Sequence, residues 1–188
     1  MVVVAAEEWE RKTGRQGTLA DFFAASPLRE SGLEIERPQD GSPRHRPMSF
    51  LLDTNVISEW VKPAPDPNVT RWLDEVDEDQ VFLSVASLAE IRHGIELMDP
   101  GKRRDRLAAW LAGELPARFE GRILDIDRHV AEAWGVIMAR GQKPGLNLGS
   151  LDAFFAATAE VHRLTLVTRN VQHFESLGIP LLNPWHGG

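Results

Sequence analysis

Asp53, Glu90, Asp152 and Asn170 carry oxygen donors and fall where apolar segments of the chain stop or start. Asp53 closes the run Ser49-Phe-Leu-Leu52, and Asn170 stands shortly after Leu164-Thr-Leu-Val167. Glu90 and Asp152 sit in the opening turns of two helical patterns. Hard cations such as Mg2+ and Mn2+ prefer carboxylate, amide and water oxygen. A cation held by such groups activates water and stabilises charge on a scissile phosphate. Each residue also has a local explanation. Asp53 suits a turn with Asn55, and Asp152 suits the positive end of a helix. Ser87-Leu-Ala-Glu90 fits a capping box, and Asn170 suits an ordinary turn. Spacing alone leaves both explanations open.

Convergence needs a particular scaffold. From Met48 onward, short apolar runs alternate with amphipathic stretches. The runs at residues 49–52, 81–83, 123–126, 164–167 and 179–182 read as strands. The stretches at 56–61, 69–76, 87–98, 102–114, 128–140 and 151–162 read as helices, with Pro63 and Pro65 stopping the first. This order predicts an α/β domain with a mainly parallel sheet flanked by helices. Ligands of such sheets bind beyond the carboxyl ends of the strands, where these four side chains would gather.

Residues 1–47 are built differently. Residues 5–12 and 19–25 show short helical patterns, the second opened by Thr18 with Asp21 three residues on. Residues 32–37 alternate apolar and charged side chains, and 38–47 have the composition of a linker. So short a segment cannot build a sizeable core and is expected to wrap on another surface. The chain of 188 residues therefore divides into a tail (1–37), a linker (38–47) and a domain (48–188).

Bulk properties narrow the class. The net charge of −7 argues against coating nucleic acid by bulk electrostatics, while a nuclease needs only a local basic surface. Cysteine is absent, which removes disulfides and thiol nucleophiles. No apolar run approaches the roughly 20 residues of a membrane helix, and the acidic start does not suit a signal peptide. A cytoplasmic protein without a membrane partner is the expectation. Lys102-Arg-Arg-Asp-Arg106 fits RNA phosphates and a solvated helix face equally well. His93 and His129 lack metal-ligand spacing and read as structural, and Trp72, Trp110 and Trp134 read as core or interface.

Four segments together carry a family resemblance: Met48-Ser-Phe-Leu-Leu-Asp-Thr-Asn-Val-Ile-Ser-Glu59, Phe82 to Glu96, Asp152-Ala-Phe-Phe-Ala-Ala-Thr-Ala, and Leu166-Val-Thr-Arg-Asn-Val-Gln-His-Phe174. In this order, and ending in Leu182-Asn-Pro-Trp185, they resemble the PIN-domain toxins of the VapC type. The resemblance implies a PIN-like fold and endonucleolytic cleavage of RNA by metal-activated water, with Mg2+ or Mn2+ as cofactor. It places Asp53, Glu90 and Asp152 as metal ligands. Asn170 takes a fourth position that is often aspartate. Thr54, Asn55 and Thr168 fall where the family has supporting polar groups. Alternatives are a catalytically silent interaction or inhibitory protein of the same fold and a flap-type DNA nuclease. The latter usually carries more acids and extra helices.

Val-Val-Val-Ala-Ala-Glu-Glu-Trp-Glu-Arg, Gly17-Thr-Leu-Ala-Asp-Phe-Phe and Ser26-Pro-Leu resemble the toxin-binding tail of Phd/YefM-type antitoxins, without their DNA-binding part. That implies an inhibitor tail joined to its toxin, with DNA contacted only through the missing domain. Phe22, Phe23 and Leu28 should then be buried against the domain. Arginines of such tails often reach the acidic site. Arg44 and Arg46 lie five and three residues before Ser49, spans of about 17 and 10 Å. Returning along the first strand requires roughly 17 Å. Arg37, with about 40 Å of chain, reaches the site within its own chain, and Arg44 only from a dimer partner. Family toxins usually pair, and the apolar stretches 69–76 and 110–115 suit a homodimer interface.

Overall fold

The computed structural model describes residues 17–30, 49–141 and 148–186. Arg37, Arg44, Arg46 and the predicted elements at 5–12, 32–37 and 38–47 lie outside them.

Phe50–Leu52 (β1), Val81–Ser84 (β2), Ile123–Leu124 (β3), Thr165–Val167 (β4) and Leu181–Leu182 (β5) form one parallel sheet in the order β3-β2-β1-β4-β5. Neighbouring side chains of a strand point to opposite faces. Leu51 and Leu166 therefore enter one core with Phe155, Ala156 and Phe174. Phe50, Leu52, Leu83 and Val167 enter the other with Trp60, Trp110 and Phe119. Both faces are covered, as all-parallel sheets require. The architecture is the predicted α/β sandwich.

The first face is covered by Thr54–Ser58 (α2), Pro67–Glu75 (α3), Val85–Leu97 (α4), Lys102–Ala112 (α5) and Glu114–Arg118 (α6). Arg128–Gly141 (α7) and Ser150–His162 (α8) pack on each other over the second face. Local chemistry sets the boundaries. α3 has proline at its first position and Asp66 as its cap, accepting from Asn68 N–H at 2.8 Å. The predicted helix 102–114 divides at Gly113 into α5 and α6.

One local expectation is corrected. Ser87 and Glu90 do not form a capping box. β2 runs straight into α4, so the cap is Ser84, whose hydroxyl accepts from Ala86 N–H at 3.1 Å. Ser87 is already inside the helix and donates to the Leu52 carbonyl at 3.5 Å.

The amino-terminal segment joins the first core. Thr18 and Asp21 make reciprocal capping bonds of 3.0 and 3.1 Å at the start of Leu19–Ala25 (α1), as their spacing predicts. Leu19, Phe23 and Leu28 are buried, and Phe22 is partly buried. Phe23 meets the rings of Trp60 and Phe119 at 5.6 and 6.2 Å, and Phe22 stacks on Trp110 at 6.1 Å. The Thr18 hydroxyl donates to Asp74 at 2.7 Å, and Arg118 donates to the Gly17 carbonyl at 2.9 Å. Val69, Leu73, Trp110, Leu111 and Leu115, the stretches expected to face a second copy, belong to this same core. Trp72 packs edge-on against Phe50, and Trp134 stacks on Phe154.

A buried cation pins β2 to β3. The Arg122 guanidinium donates to the carbonyls of Glu78, Val81 and Arg118 at 2.7, 2.9 and 2.6 Å. It also pairs with the Glu78 carboxylate at 3.0 Å, which Arg118 shares at 2.7 Å. Removing one partner of such a pair leaves a charge in a poorly solvated place. Glu78→Ala is therefore expected to cost about 3 kcal/mol, measured as a lowered urea midpoint with unchanged slope.

Candidate active site

The strand order reverses at β1. β2 and β3 continue to one side, β4 and β5 to the other. The two connections leaving the carboxyl ends of β1 and β4 diverge and open a crevice between them, the usual ligand position in such sheets. Asp53 follows β1, and Thr168, Arg169 and Asn170 follow β4. α4 starts directly after β2 and carries Glu90. α8 runs back to the start of β4, which leaves its first turn, with Asp152, at the same carboxyl edge.

Asp53 is fully buried and caps α2. Its Oδ1 accepts from Asn55 N–H at 3.3 Å, while Oδ2 accepts from Asn55 Nδ2 at 2.9 Å and Thr168 Oγ1 at 2.7 Å. The Thr168 hydroxyl in turn accepts from Asn55 Nδ2 and from Asn170 N–H, both at 3.0 Å. One donor and two acceptor sites are all a hydroxyl has, so its proton is committed to Asp53. Thr54 Oγ1 donates to Glu90 Oε2 at 2.6 Å. The turn reading of Asp53 is what the structure shows, and residues of the turn that it caps reach two acids: Thr54 donates to Glu90 and Asn55 to Asp53.

Asp152 is buried in the first turn of α8. His173 Nδ1 lies 3.3 Å from its Oδ2. Gly149 leaves room for the carboxylate, since a Cβ there would sit 3.2 Å from Oδ2. Asn170 is fully buried, and its Oδ1 and Nδ2 have no hydrogen-bond partner among the described residues. An unmet buried amide costs about 1–3 kcal/mol per group, and such orphans in a cleft point to a missing ligand or water.

Of the seven residues singled out from sequence, Asp53, Asn55, Thr168 and Asn170 share one set of hydrogen bonds, Thr54 holds Glu90, and Asp152 meets His173. They form linked groups rather than one closed shell. Among the described residues, no three acidic or histidine side chains are close enough as they stand to enclose a metal ion. The donor chemistry, three carboxylates and an orphaned amide, suits a hard divalent cation. His173 and Arg169 were missed. His173 lies three residues past Asn170, in the 3-10 turn Val171–His173, and only that proximity marked it. Arg169 was marked only by standing between two site residues. His93 and His129 are exposed helix residues away from these contacts. Lys102–Ala112 begins beyond the far end of α4, away from the turns that carry Glu90.

Residues 50–179 match the PIN domain family. Toxin FitB of Neisseria gonorrhoeae is 38% identical over 137 residues, covering 73% of this chain and 99% of FitB. VapC ribonuclease Y4jK of Sinorhizobium fredii is 37% identical over 136 residues, 72% of this chain and 97% of that protein. The crystal structure of FitAcB from Neisseria gonorrhoeae superposes with a TM-score of 0.68 at 38% identity, covering 73% of this chain and 99% of that one. The strand order, the acids at the carboxyl edge and these matches agree: the chain belongs to the PIN-domain family, among relatives named Toxin FitB and VapC ribonuclease.

Proposed function

We propose that this chain is a metal-dependent endoribonuclease toxin of a toxin–antitoxin system, carrying an antitoxin-derived tail that restrains it. The observation that carries the reading is the hydrogen-bonded acidic edge at the switch point of the sheet. Asp53, Glu90 and Asp152 are the ligands of Mg2+, with Mn2+ as a substitute. Bound there, the cation supplies a water of lowered pKa and neutralises charge on the scissile RNA phosphate. The chain's own part is to hold the acids. Thr168 and Asn55 fix the Asp53 rotamer, Thr54 holds Glu90, and His173 holds Asp152. Asn170 offers its amide to the metal or to a metal-bound water. Charged ligands without such support lose roughly 10–100-fold in metal affinity or activity.

Residues 1–37 are the toxin-binding tail, 38–47 the linker and 48–188 the nuclease. Two observations support this division. The match to FitB takes in 99% of that relative yet only 73% of this chain. Leu19, Phe23 and Leu28 are buried against the domain's aromatic core. Phe22, Phe23 and Leu28 anchor the tail, and Arg37 in the same chain, or Arg44 from a partner, plugs the acidic site as a planar cation. The working form is a cytoplasmic homodimer, and DNA contacts belong to the DNA-binding part of an antitoxin. No helix among the described residues is long and apolar enough to cross a membrane. A second reading, an interaction protein without turnover, draws on the uncharged Asn170.

Cleavage of RNA and DNA side by side separates the readings. A chain starting at Met48 should cut RNA with Mg2+, stop with chelator and spare DNA. No cleavage under any divalent cation, by a chain that circular dichroism shows to be folded, would leave the interaction protein. Asp53→Asn and Asp152→Asn should each lose about a hundredfold or more, roughly 2.7 kcal/mol of barrier. Asn170→Ala should lose less, and Asn170→Asp should tighten Mg2+ binding.

The support of the acids is tested separately. Thr168→Val keeps the shape and removes the hydroxyl, so cleavage should fall about 10–100-fold with a small change in melting temperature. Activity at the parent level would show that Asp53 needs no such support.

The tail is tested in the full chain. Truncation to Met48 should raise cleavage, and Phe23→Ala, by undocking α1 at a cost of about 3 kcal/mol, should raise it partway. Arg37→Ala should also raise it. If Arg37→Ala cuts no faster than the parent while truncation does, covering by the aromatic segment is the restraint.

A further inference from the structure

We infer that Arg169 is an anion-binding residue of the acidic edge, set to take a phosphate oxygen of a nucleic-acid strand. The ligand's identity as RNA rests on the ribonuclease reading; the anion site does not.

Arg169 is the residue between Thr168 and Asn170, and its backbone is tied on both sides. Its N–H donates to Asn55 Oδ1 at 3.4 Å, the same amide that clamps Asp53. Its carbonyl accepts from Asn183 Nδ2 at 3.4 Å. The guanidinium lies over the Trp185 ring, with Cζ 5.6 Å from the centroid. That ring is itself held. Trp185 Nε1–H donates to buried Glu59 Oε2 at 3.3 Å, and Glu59 is paired with Lys62 at 2.8 Å. The Trp185 N–H donates to Asn183 Oδ1 at 3.0 Å, and its carbonyl accepts from Asn68 at 3.2 Å.

The cation so positioned is left unneutralised. Among the described residues Arg169 forms no ion pair, and its buried Nε has no hydrogen-bond partner. The contrast with Arg118 and Arg122 lies in the ion pair, because both of those pair with Glu78, while the Arg122 Nε is likewise without a hydrogen-bond partner among the described residues. Arg169 is partly exposed, with its Nε buried, and stands two residues along the chain from Val167 and directly beside Asn170. A guanidinium with stacked face and open edge matches two oxygens of a phosphate. Its place beside the acids also explains how an anionic strand approaches carboxylates that repel it. Arg169 then holds a phosphate next to the scissile one and acts through binding, with no proton transferred.

The test uses the full chain and adenosine 5′-monophosphate, titrated with Mg2+ and with chelator. The Arg169 Nε–H resonance should shift and saturate in at least one condition. Arg169→Gln should weaken binding about tenfold or more. Arg169→Lys should retain part of it, and Trp185→Leu should weaken it with Arg169 still present. Unchanged affinity in Arg169→Gln, or no shift of the Nε–H in either condition, overturns the proposal. In RNA cleavage, Arg169→Gln should raise KM more than it lowers kcat. Unchanged kinetics sink the proposal while the ribonuclease reading stands. Binding through Arg169 by a chain that cuts no RNA keeps the anion site and removes that reading.

Discussion

The pairing of β1 with β4 is the constraint on which the acidic edge depends. Leu52 and Val167 are in register, and Asp53 N–H donates to the Val167 carbonyl at 3.0 Å. One step further the backbone ladder ends and side chains continue it, with the Thr168 hydroxyl donating to Asp53. A parallel sheet that reverses its winding here opens a crevice at this step. A slip of one residue would turn Asp53 and Thr168 to opposite faces, because strand side chains alternate. The register that fills the two cores therefore also assembles the site.

Burial and charge divide the edge between them. Asp53, Asp152 and Asn170 are buried, and the sequence around them is apolar. Each carboxylate there is given a named partner, since a buried charge without one is costly. Among the described residues, Asn55 and Thr168 donate to Asp53 through backbone, amide and hydroxyl groups, which orient the carboxylate. Glu78 pairs with two guanidiniums and helps to lock β2 to β3. The same chain thus places one set of acids at the carboxyl edge of the sheet and uses another to lock its strands.

The aromatic groove on the first face shows how the amino-terminal segment is held. Trp60, Trp110 and Phe119 surround Phe23, and the capping bonds of Thr18 start α1 at the right place to deliver it. A seven-residue helix is not stable alone. Its order comes from the surface it covers, and that surface would otherwise expose tryptophan and leucine to water.

Sequence by itself determined the strand and helix order, the parallel sheet and the short list of acids. Period-two and helical patterns record burial, and burial is local information repeated along the chain. It also determined the Thr18–Asp21 capping box, whose partners are three residues apart. It misplaced the cap of α4 at Ser87, because a strand that runs directly into a helix leaves no boundary in composition. It could not decide which side chains touch. Thr168 and Asp53 are 115 residues apart, and Asp152 and His173 21 apart. Trp185 reaches Glu59 across 126. Such contacts depend on strand order, and strand order follows from how two faces of one sheet are covered at once. Only the tertiary structure could separate Arg169, which pairs with no carboxylate among the described residues, from Arg118 and Arg122, which share Glu78.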